Sequence, residues 1–293
     1  MAFYIGAPVW AHKGWVGNFF PKGSKSADYL CEYAKRLTTV EGNTTFYAVP
    51  APDTVQRWRD DTSDTFRFCL KLPRAISHAG PLLPHLDEAR NFVDLMRGLG
   101  TRLGPMFLQL PPRYSPTAID DLRSFLVAWP REVALAVEVR HADWFKSPNH
   151  QRLHALLREF ALARVLFDVR PIRDVPEDKV EDSRLQARVE RALERKPDVP
   201  LVPELTAPFT LVRYIGHPQV DLNLPLLDEW ADRLAAWLRE GIDVYAFCHA
   251  PDVTVSPQIC RALYERVAAR VQVDPLPWDT PESGVKVEQS RLL

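Results

Sequence analysis

The sequence of 293 residues carries almost no net charge and has no long apolar segment. Its formal net charge is −1, so it lacks an overall basic field that would hold nucleic acid or an anionic membrane. No stretch approaches the roughly 20 apolar residues of a membrane span. The opening MAFYIGAPVWAHKGW lacks the basic region and long apolar run of a signal peptide. These absences predict a cytoplasmic protein that does not associate with membranes.

Cysteine-based and nucleotide-binding motifs are also missing. The four cysteines, Cys31, Cys69, Cys248 and Cys260, show neither CxxC nor zinc-site spacing, which predicts reduced and mostly buried thiols. No GxGxxG follows the first apolar run and no GxxxxGK[ST] occurs, which disfavours the usual nucleotide-binding folds.

What the chain does contain is a strand-then-helix pattern, repeated. Eight short apolar runs alternate with amphipathic stretches, and this pattern predicts a parallel sheet with crossover helices. The runs are FYIGA (3–7), TTVEGN (38–43), FRFCLKL (66–72), MFLQL (106–110), LAVEVR (135–140), RVLFDV (164–169), FTLVRYI (209–215) and DVYAFCH (243–249). Eight repeats in this length favour a single-domain (β/α)8 TIM barrel of the α/β class, with a doubly wound open sheet as the alternative.

Two segments depart from this rhythm. Residues 171–208 are charged and bounded by prolines, with a helical middle around 181–195. We interpret them as an insertion over one barrel face, either a solvated surface helix or a substrate lid. The barrel is predicted to span 1–273, and 274–293 to form a surface-wrapping or disordered tail.

Alternation along the strands predicts which side chains enter the barrel lumen, because successive side chains point to opposite faces. In RVLFDV it turns Asp168 inward and Phe167 outward. Nearly every polar residue turned inward lies at the carboxyl end of its strand, where this fold carries its active site. The predicted ring comprises Glu41, Asn43, Lys71, Gln109, Glu138, Arg140, Asp168 and Arg213, with His249 also turned inward.

The ring suggests several chemistries. Inward arginines and a lysine favour an anionic ligand, and Lys71 could act as base or Schiff-base nucleophile if burial lowers its pKa. Glu41 and Glu138 could be a general acid/base pair. The structural alternative is a self-neutralising ion-pair network, with Glu41 paired to Lys71 and Asp168 to Arg140 or Arg213.

Histidines and tryptophans in the predicted top loops add two further hypotheses. Carboxylates of the ring with loop histidines could form a divalent metal site, although no HxH or HExxH signature supports it. The histidines concerned are His12, His78, His141, His217 and His249. Trp10, Trp15 and Trp144 could line a cleft or anchor their loops. No cofactor is evident from sequence.

Several motifs in fixed order resemble the DUF72, or YecE-like, family. They are IGAPVWAHKGWVGNFFPKG, TTVEGNTTFYAVPAPDTVQRW, FRFCLKLPRAISH, MFLQLPPRY and VEVRHADW, which together cover most of the first 145 residues. The resemblance implies a TIM barrel but no reaction, since the family's activity is uncharacterised. It maps family positions onto Trp10, Glu41, Asn43, Phe46, Tyr47, Lys71, His78, Gln109, Pro111, Glu138, Arg140, His141 and Trp144.

The second half matches that family pattern more loosely. VRYIGHP keeps Arg213 and displaces the histidine, and AFCHAPD places His249 and Ala250 where the family has an amide pair. These departures suggest a diverged specificity.

The leading functional hypothesis is an enzyme that uses general acid/base chemistry on a small or medium anionic substrate at the barrel mouth. Catalysis would fall to Glu41, Lys71 and Glu138, and hydrolysis is favoured slightly over lyase or isomerase chemistry. The substrate-binding candidates are Trp10, Asn43, Tyr47, His78, Gln109, Arg140, His141, Trp144, Asp168, Arg213 and His249. The alternatives are a non-catalytic ligand- or nucleic-acid-binding barrel and a metal-dependent phosphodiesterase. The oligomeric state is not predicted.

Overall fold

Eight short strands, all parallel, alternate with helices along the computed structural model, which describes residues 1–175 and 183–279. The α/β class with a parallel sheet is confirmed. The strands are β1 Phe3–Gly6, β2 Thr39–Gly42, β3 Arg67–Leu70, β4 Met106–Gln109, β5 Leu135–Glu138, β6 Ala163–Asp168, β7 Phe209–Ile215 and β8 Asp243–His249.

The strands pair in two sheets that meet at both edges. One sheet has the order β1-β8-β7-β6-β5-β4, and the other pairs β2 with β3. Backbone hydrogen bonds join β1 to β2, where Glu41 N donates to Ala7 O at 3.1 Å. Others join β3 to β4, where Leu72 N donates to Phe107 O at 3.0 Å. The eight strands therefore follow one another around a ring in chain order, which is the arrangement predicted for a (β/α)8 barrel.

A side chain completes the junction between β1 and β2. The Tyr33 hydroxyl accepts a hydrogen bond from Ala7 N at 2.7 Å and donates one to Thr39 O at 2.9 Å. The strands approach so closely that a Cβ on Gly6 would lie 1.9 Å from Thr39 O. Only glycine fits there, because any other residue would collide with backbone.

The longer helices cover the outer face of the ring, whereas several short helices and the helix of the insertion lie beside the strand carboxyl ends. The helices are α1 Tyr29–Ala34, α2 Thr44–Tyr47, α3 Pro52–Asp60, α4 Arg74–Ser77, α5 Leu86–Met96, α6 Ile119–Val127, α7 Asn149–Glu159, α8 Arg170–Arg173, α9 Ser183–Leu193, α10 Leu224–Arg239 and α11 Ser256–Ala268. The apolar faces of the longer helices between strands pack on the outward side chains of the strands to form the main core. Pro52 is the first residue of α3, a position that suits proline, and α10 is followed by Gly241 at φ 86°.

The lumen below the strand carboxyl ends is filled by a second apolar cluster. It includes Cys69, Phe107, Val165, Tyr245 and Phe247. The ring is thus packed in its lower part, as small barrels are, and any cavity must lie above this cluster.

The insertion and the tail are described in part. The helical middle predicted at about 181–195 appears as α9, and residues 176–182 lie outside the described residues. Within the predicted tail, Trp278 packs against Phe19 with ring centroids 5.1 Å apart, and 280–293 lie outside the described residues. The domain boundaries stay a prediction. Across 1–175 and 183–279, no helix combines the length and the apolar character needed to cross a membrane.

Candidate active site

Arg213, on β7, holds two buried carboxylates inside the ring. Its Nε and Nη2 donate to Glu41 Oε2 and Oε1, each at 2.8 Å, in a bidentate pair. Its Nη1 donates to Glu138 on β5. Burial opposes ionisation of both acids, but their cationic neighbours outweigh it. The pKa of Glu138 falls to about 2 and that of Glu41 lies well below its usual value.

From Glu138 the contacts continue to Lys71. Arg140 Nε donates to Glu138 Oε1 at 2.6 Å, and Arg140 Nη2 donates to Gln109 Oε1 at 2.8 Å. The same oxygen accepts from Lys71 Nζ at 2.8 Å. Strands β2, β3, β4, β5 and β7 therefore contribute to a single network at their carboxyl ends.

Glu41 has two further partners. Asn43 Nδ2 donates to Glu41 Oε1 at 2.7 Å. His249 Nε2 lies 2.9 Å from Glu41 Oε2. Burial lowers the pKa of His249 to about 4, so its imidazole is neutral at physiological pH and its Nε2–H donates to the Glu41 carboxylate. Every oxygen of Glu41 and Glu138 is therefore hydrogen-bonded to a donor of the protein.

Lys71 differs from the carboxylates because its charge is poorly compensated. Its Nζ lies 3.7 Å from the centroid of the Phe46 ring and makes no ion pair among the described residues. Burial, with Arg213 nearby, lowers the pKa of Lys71 to about 7. A large fraction of this amine is therefore unprotonated at neutral pH and can act as a base or nucleophile.

These groups border a cavity of about 410 Å³ at the carboxyl ends of the strands. Five cationic side chains line it: Lys71, Arg74, Arg140, Lys196 and Arg213. Its other walls are the aromatic rings of Phe46 and Tyr47 and the polar groups of Asn43, His78, Gln109 and His249. No carboxylate of the described residues lines it, because Glu41 and Glu138 lie buried behind Arg213. Its surface is therefore suited to an anion.

Tyr47 and His78 lie at the rim of this cavity. Tyr47 is 79% exposed, whereas its neighbour Phe46 is buried against Lys71. The His78 ring packs edge-on against Phe46 at 4.9 Å. Burial and the surrounding cations lower the pKa of His78 to about 4, so it is neutral at physiological pH.

Two residues of the mouth were not found from the sequence. Lys196 follows α9 in the insertion and lines the cavity. Phe167, predicted to face the helices, instead lies under three cations. Its ring centroid is 5.7 Å from Arg140 Cζ, 5.6 Å from Arg213 Cζ and 5.9 Å from Lys196 Nζ. A lysine between helix and loop gave no sequence signal, but an aromatic at a strand's carboxyl end could have been considered.

The prediction for β6 was wrong in its alternation. Val165 belongs to the lumen cluster, so Asp168 faces the helices. Its Oδ2 accepts from Trp230 Nε1 on α10 at 2.7 Å, and Arg170 holds both of its oxygens. Asp168 therefore does not join Arg140 or Arg213. The predicted Glu41–Lys71 ion pair is also wrong, since Glu41 pairs with Arg213 and His249.

Three other predicted substrate-binding residues lie outside the cavity. Trp10 packs edge-on against Trp58 at 5.1 Å on the outer face of the ring. Trp144 is fully buried, and its Nε1 donates to Tyr114 O at 2.7 Å. His141 Nδ1 accepts from Asp143 N at 3.1 Å and caps a short 3₁₀ turn. These contacts give each of the three residues a structural role away from the cavity.

The described residues place a metal-like group of ligands elsewhere, at His150, His154 and Glu204, whose ligand atoms lie within 4.8 Å of one another. The donor set does not fit a cation. Arg164 Nη1 lies 2.8 Å from His154 Nε2, and because a guanidinium only donates, this nitrogen must accept. His154 Nδ1 therefore carries the proton and donates to Glu204 Oε2 at 3.1 Å, leaving no lone pair for a metal.

Comparison with known proteins gives a family for this architecture. The family model "Protein of unknown function DUF72" matches residues 4–281. The UPF0759 protein YecE of Escherichia coli (strain K12) is 37% identical over 264 residues, which cover 89% of this chain and 91% of that protein. The UPF0759 protein YunF of Bacillus subtilis is 23% identical over 169 residues, covering 53% of this chain and 56% of that protein.

Solved structures agree with the fold. A crystal structure of a DUF72 family protein from Enterococcus faecalis matches with a TM-score of 0.68 at 16% identity, covering 97% of this chain and 100% of that chain. One from Thermotoga maritima matches with a TM-score of 0.66 at 16% identity, covering 92% of this chain and 100% of that one. At these identities the likeness concerns the fold alone.

Proposed function

This chain belongs to the DUF72 family, whose function is unknown, and we propose that it is an enzyme acting on a small or medium anionic substrate at the mouth of the strand ring. The observation that carries the proposal is the lining of the cavity. Five cations surround it, no carboxylate among the described residues faces it, and it contains a lysine amine that is partly neutral. A purely structural network would place its carboxylates against all of its cations.

In this proposal Lys71 is the catalytic residue, as a general base or as a nucleophile. Arg140 and the rim residue Arg74 attract the anion, and the amide of Gln109 orients it. Glu41 and Glu138 keep Arg213 in place and do not transfer protons, because both stay ionised and fully hydrogen-bonded. The two glutamates thus lose the acid/base role that the sequence suggested, and hydrolysis gains no support over other chemistry.

If Lys71 is a nucleophile, the substrate carries a carbonyl group beside its anionic group. The neutral amine adds to the carbonyl carbon, and loss of water leaves an imine between the lysine nitrogen and that carbon. Borohydride reduces such an imine to a stable amine. Mass spectrometry of the protein after borohydride treatment with pyruvate or glyceraldehyde 3-phosphate should show an adduct that maps to Lys71.

The control is Lys146→Met, since Lys146 is exposed and paired with Asp143 away from the mouth. We expect this variant to be labelled as wild type is and Lys71→Met to remain unlabelled. Labelling spread evenly over surface lysines would refute the nucleophile role. Loss of proton exchange between a bound anionic substrate and water in Lys71→Met would identify a base instead.

A non-catalytic anion-binding barrel is the second candidate. The completeness of hydrogen bonding around Glu41 and Glu138 favours it, because such a network holds a rigid receptor as well as an active site. Anion binding to the cavity without labelling, exchange or turnover would select this candidate. A cytoplasmic location remains a prediction with either function.

A further inference from the structure

Lys196 reaches the mouth from the insertion, on a segment that is fastened to the ring. Val189 of α9 and Val199 pack with Phe167, Val169 and Ile172 in a third apolar cluster. We call residues 183–200 the strap. Arg188 in the strap pairs with Asp252 after β8, and Asp198 pairs with Arg173 of α8. Ion pairs therefore attach the strap to the segment after β8 and to α8, and these attachments limit the positions that the Lys196 side chain can occupy.

The Lys196 ammonium has no counterion within the described part of the chain. No hydrogen bond or ion pair joins its Nζ to another described residue, and its nearest aromatic contact is the Phe167 ring at 5.9 Å. Arg140 and Arg213 also lie near this ring, with their Cζ atoms 5.7 and 5.6 Å from its centroid, so three positive groups gather around one aromatic side chain. Like charges gathered in a cleft repel one another unless an anion is present.

The charge balance indicates more than one negative charge on that anion. Five cationic side chains line the cavity and two carboxylates lie behind it, an excess of three when both lysines are protonated. A single carboxylate would neutralise only one of these. A phosphate monoester carries between about −1.5 and −2 charges and three strong acceptor oxygens.

Three side chains of the cavity have N–H donors without a described partner, as many as the acceptor oxygens of a phosphate monoester. Lys196 Nζ donates to no described residue, and Lys71 Nζ has one hydrogen bond, to Gln109. Arg140 uses Nε and Nη2 for Glu138 and Gln109 and leaves Nη1 without a described partner. These three heads border one cavity, so a tetrahedral group could accept hydrogen bonds from each of them.

Resting on the proposed function, we propose that the mouth takes a substrate with a phosphoryl dianion, and that Lys196 of the strap is the residue that selects this group over a carboxylate. Lys196 contacts the bound group directly and is held in position by the strap. The insertion is thereby a part of the substrate site.

This arrangement couples anion binding to proton uptake. Burial, with Arg213 and Arg140 nearby, lowers the pKa of Lys196 to about 8, against the opposing effect of Glu41 and Glu138. Among the described residues, the other titratable or charged groups that face the mouth are Tyr47, Lys71, Arg74, His78, Arg140, Arg213 and His249, with Glu41 and Glu138 buried behind them. A bound dianion raises the pKa of both lysines. At pH 8 Lys196 should then take up to about half a proton, and Lys71 most of one.

Isothermal titration calorimetry of the full chain tests the proposal with inorganic phosphate, sulfate and acetate at pH 8. Sulfate is a tetrahedral dianion that does not titrate near this pH, so buffers of different ionisation enthalpy report only the protons taken up by the protein. We expect phosphate and sulfate to bind at least about tenfold more tightly than acetate.

The variants are Lys196→Met and Arg195→Met. Arg195 is exposed and does not line the cavity, and its replacement by methionine removes one positive charge from the strap, as Lys196→Met does for a protonated lysine. Lys196→Met should weaken phosphate about tenfold, acetate less than about threefold, and lower proton uptake with sulfate. Arg195→Met should stay within about twofold of wild type.

The outcomes separate this inference from the proposed function. If phosphate and acetate bind equally and Lys196→Met changes neither, the selective role of Lys196 is refuted while anion binding stands. If Lys196→Met and Arg195→Met weaken phosphate equally, the effect is one of net charge and the inference is also refuted. If none of the three anions binds to wild type, the proposed function fails together with the inference.

Discussion

Asp168 Oδ2 accepts a hydrogen bond from Trp230 Nε1 at 2.7 Å, and this contact joins β6 to α10 on the outer side of the ring. Asp168 is fully buried, and Arg170 donates to both of its oxygens. The carboxylate is thus completely hydrogen-bonded by a helix and by the turn that follows its own strand. Its function is to anchor α10, and it lies on the opposite face of β6 from Phe167.

Replacing Asp168 should therefore affect stability without affecting the mouth. Asp168→Ala leaves the buried Trp230 N–H without its partner and leaves the Arg170 guanidinium with Glu229 as its remaining carboxylate, and we expect a loss of about 2–4 kcal/mol in the free energy of unfolding. Urea denaturation measures that loss. Sulfate affinity of the folded variant should stay within about twofold of wild type. A tenfold weaker affinity would return Asp168 to the binding site.

Arg213 should be the most sensitive residue of the network. Arg213→Met leaves Glu41 and Glu138 buried without their shared cation, which costs about 3–5 kcal/mol. Their pKa values then rise in the folded variant, so its stability falls as pH rises through that range. Chemical denaturation should show a larger deficit at pH 8 than at pH 5.

A triple variant provides the control for Arg213. Adding Glu41→Gln and Glu138→Gln to Arg213→Met removes the unpaired charges, and we expect part of the lost stability to return. A deficit independent of pH, with no recovery in the triple variant, would show that Arg213 stabilises the ring through packing alone.

Glu138 should govern part of the acid sensitivity. Its folded-state pKa of about 2 lies below the ordinary value of 4.5, so ionisation stabilises the fold above pH 4.5. That contribution is lost as pH falls from 4.5 towards 2. Glu138→Gln should be less stable by about 3 kcal/mol at pH 7, and this deficit should shrink by about half by pH 3. Parallel stability curves for the two proteins between pH 7 and 3 would contradict this.

The hydroxyl of Tyr33 should stabilise the junction between β1 and β2. Tyr33→Phe removes a donor and acceptor that serve Ala7 N and Thr39 O, both buried, and should cost about 1–3 kcal/mol. Tyr29→Phe, on the same helix, is the matched control and should be nearly neutral, since no described hydrogen bond involves the Tyr29 hydroxyl. Equal losses in the two variants, measured by thermal denaturation, would rule out a specific role at the junction.

The order of strands and helices was predictable because parallel sheets with crossover helices leave a strong period in the sequence. Alternation along single strands was less reliable. In MFLQL the polar Gln109 marks the inward face, and Gln109 does line the mouth. In RVLFDV both faces are buried in apolar surroundings, so Asp168 was the one apparent marker, and it faces Trp230 instead. A polar residue identifies the lumen only when no helix supplies its partner.

Residues of the mouth were predictable where a strand carries them. Lys71, Gln109, Arg140, Arg213 and His249 lie at or close to strand carboxyl ends, and the ring closure brings them together. Lys196 could not be found in this way, because its place depends on how the strap packs over Phe167. Long-range packing of an insertion is not encoded in local periodicity.

Arg213 also limits how this molecule can change over evolutionary time. It lies on the six-stranded sheet and forms an ion pair with Glu41 on the two-stranded sheet, so it links the two sheets across the interior. A substitution of Arg213 that suited a new substrate would also lower the stability of the fold. Changes of specificity are therefore expected at residues around the mouth such as Lys196, Arg74 and Tyr47, whose substitution leaves the Arg213–Glu41 ion pair between the two sheets intact.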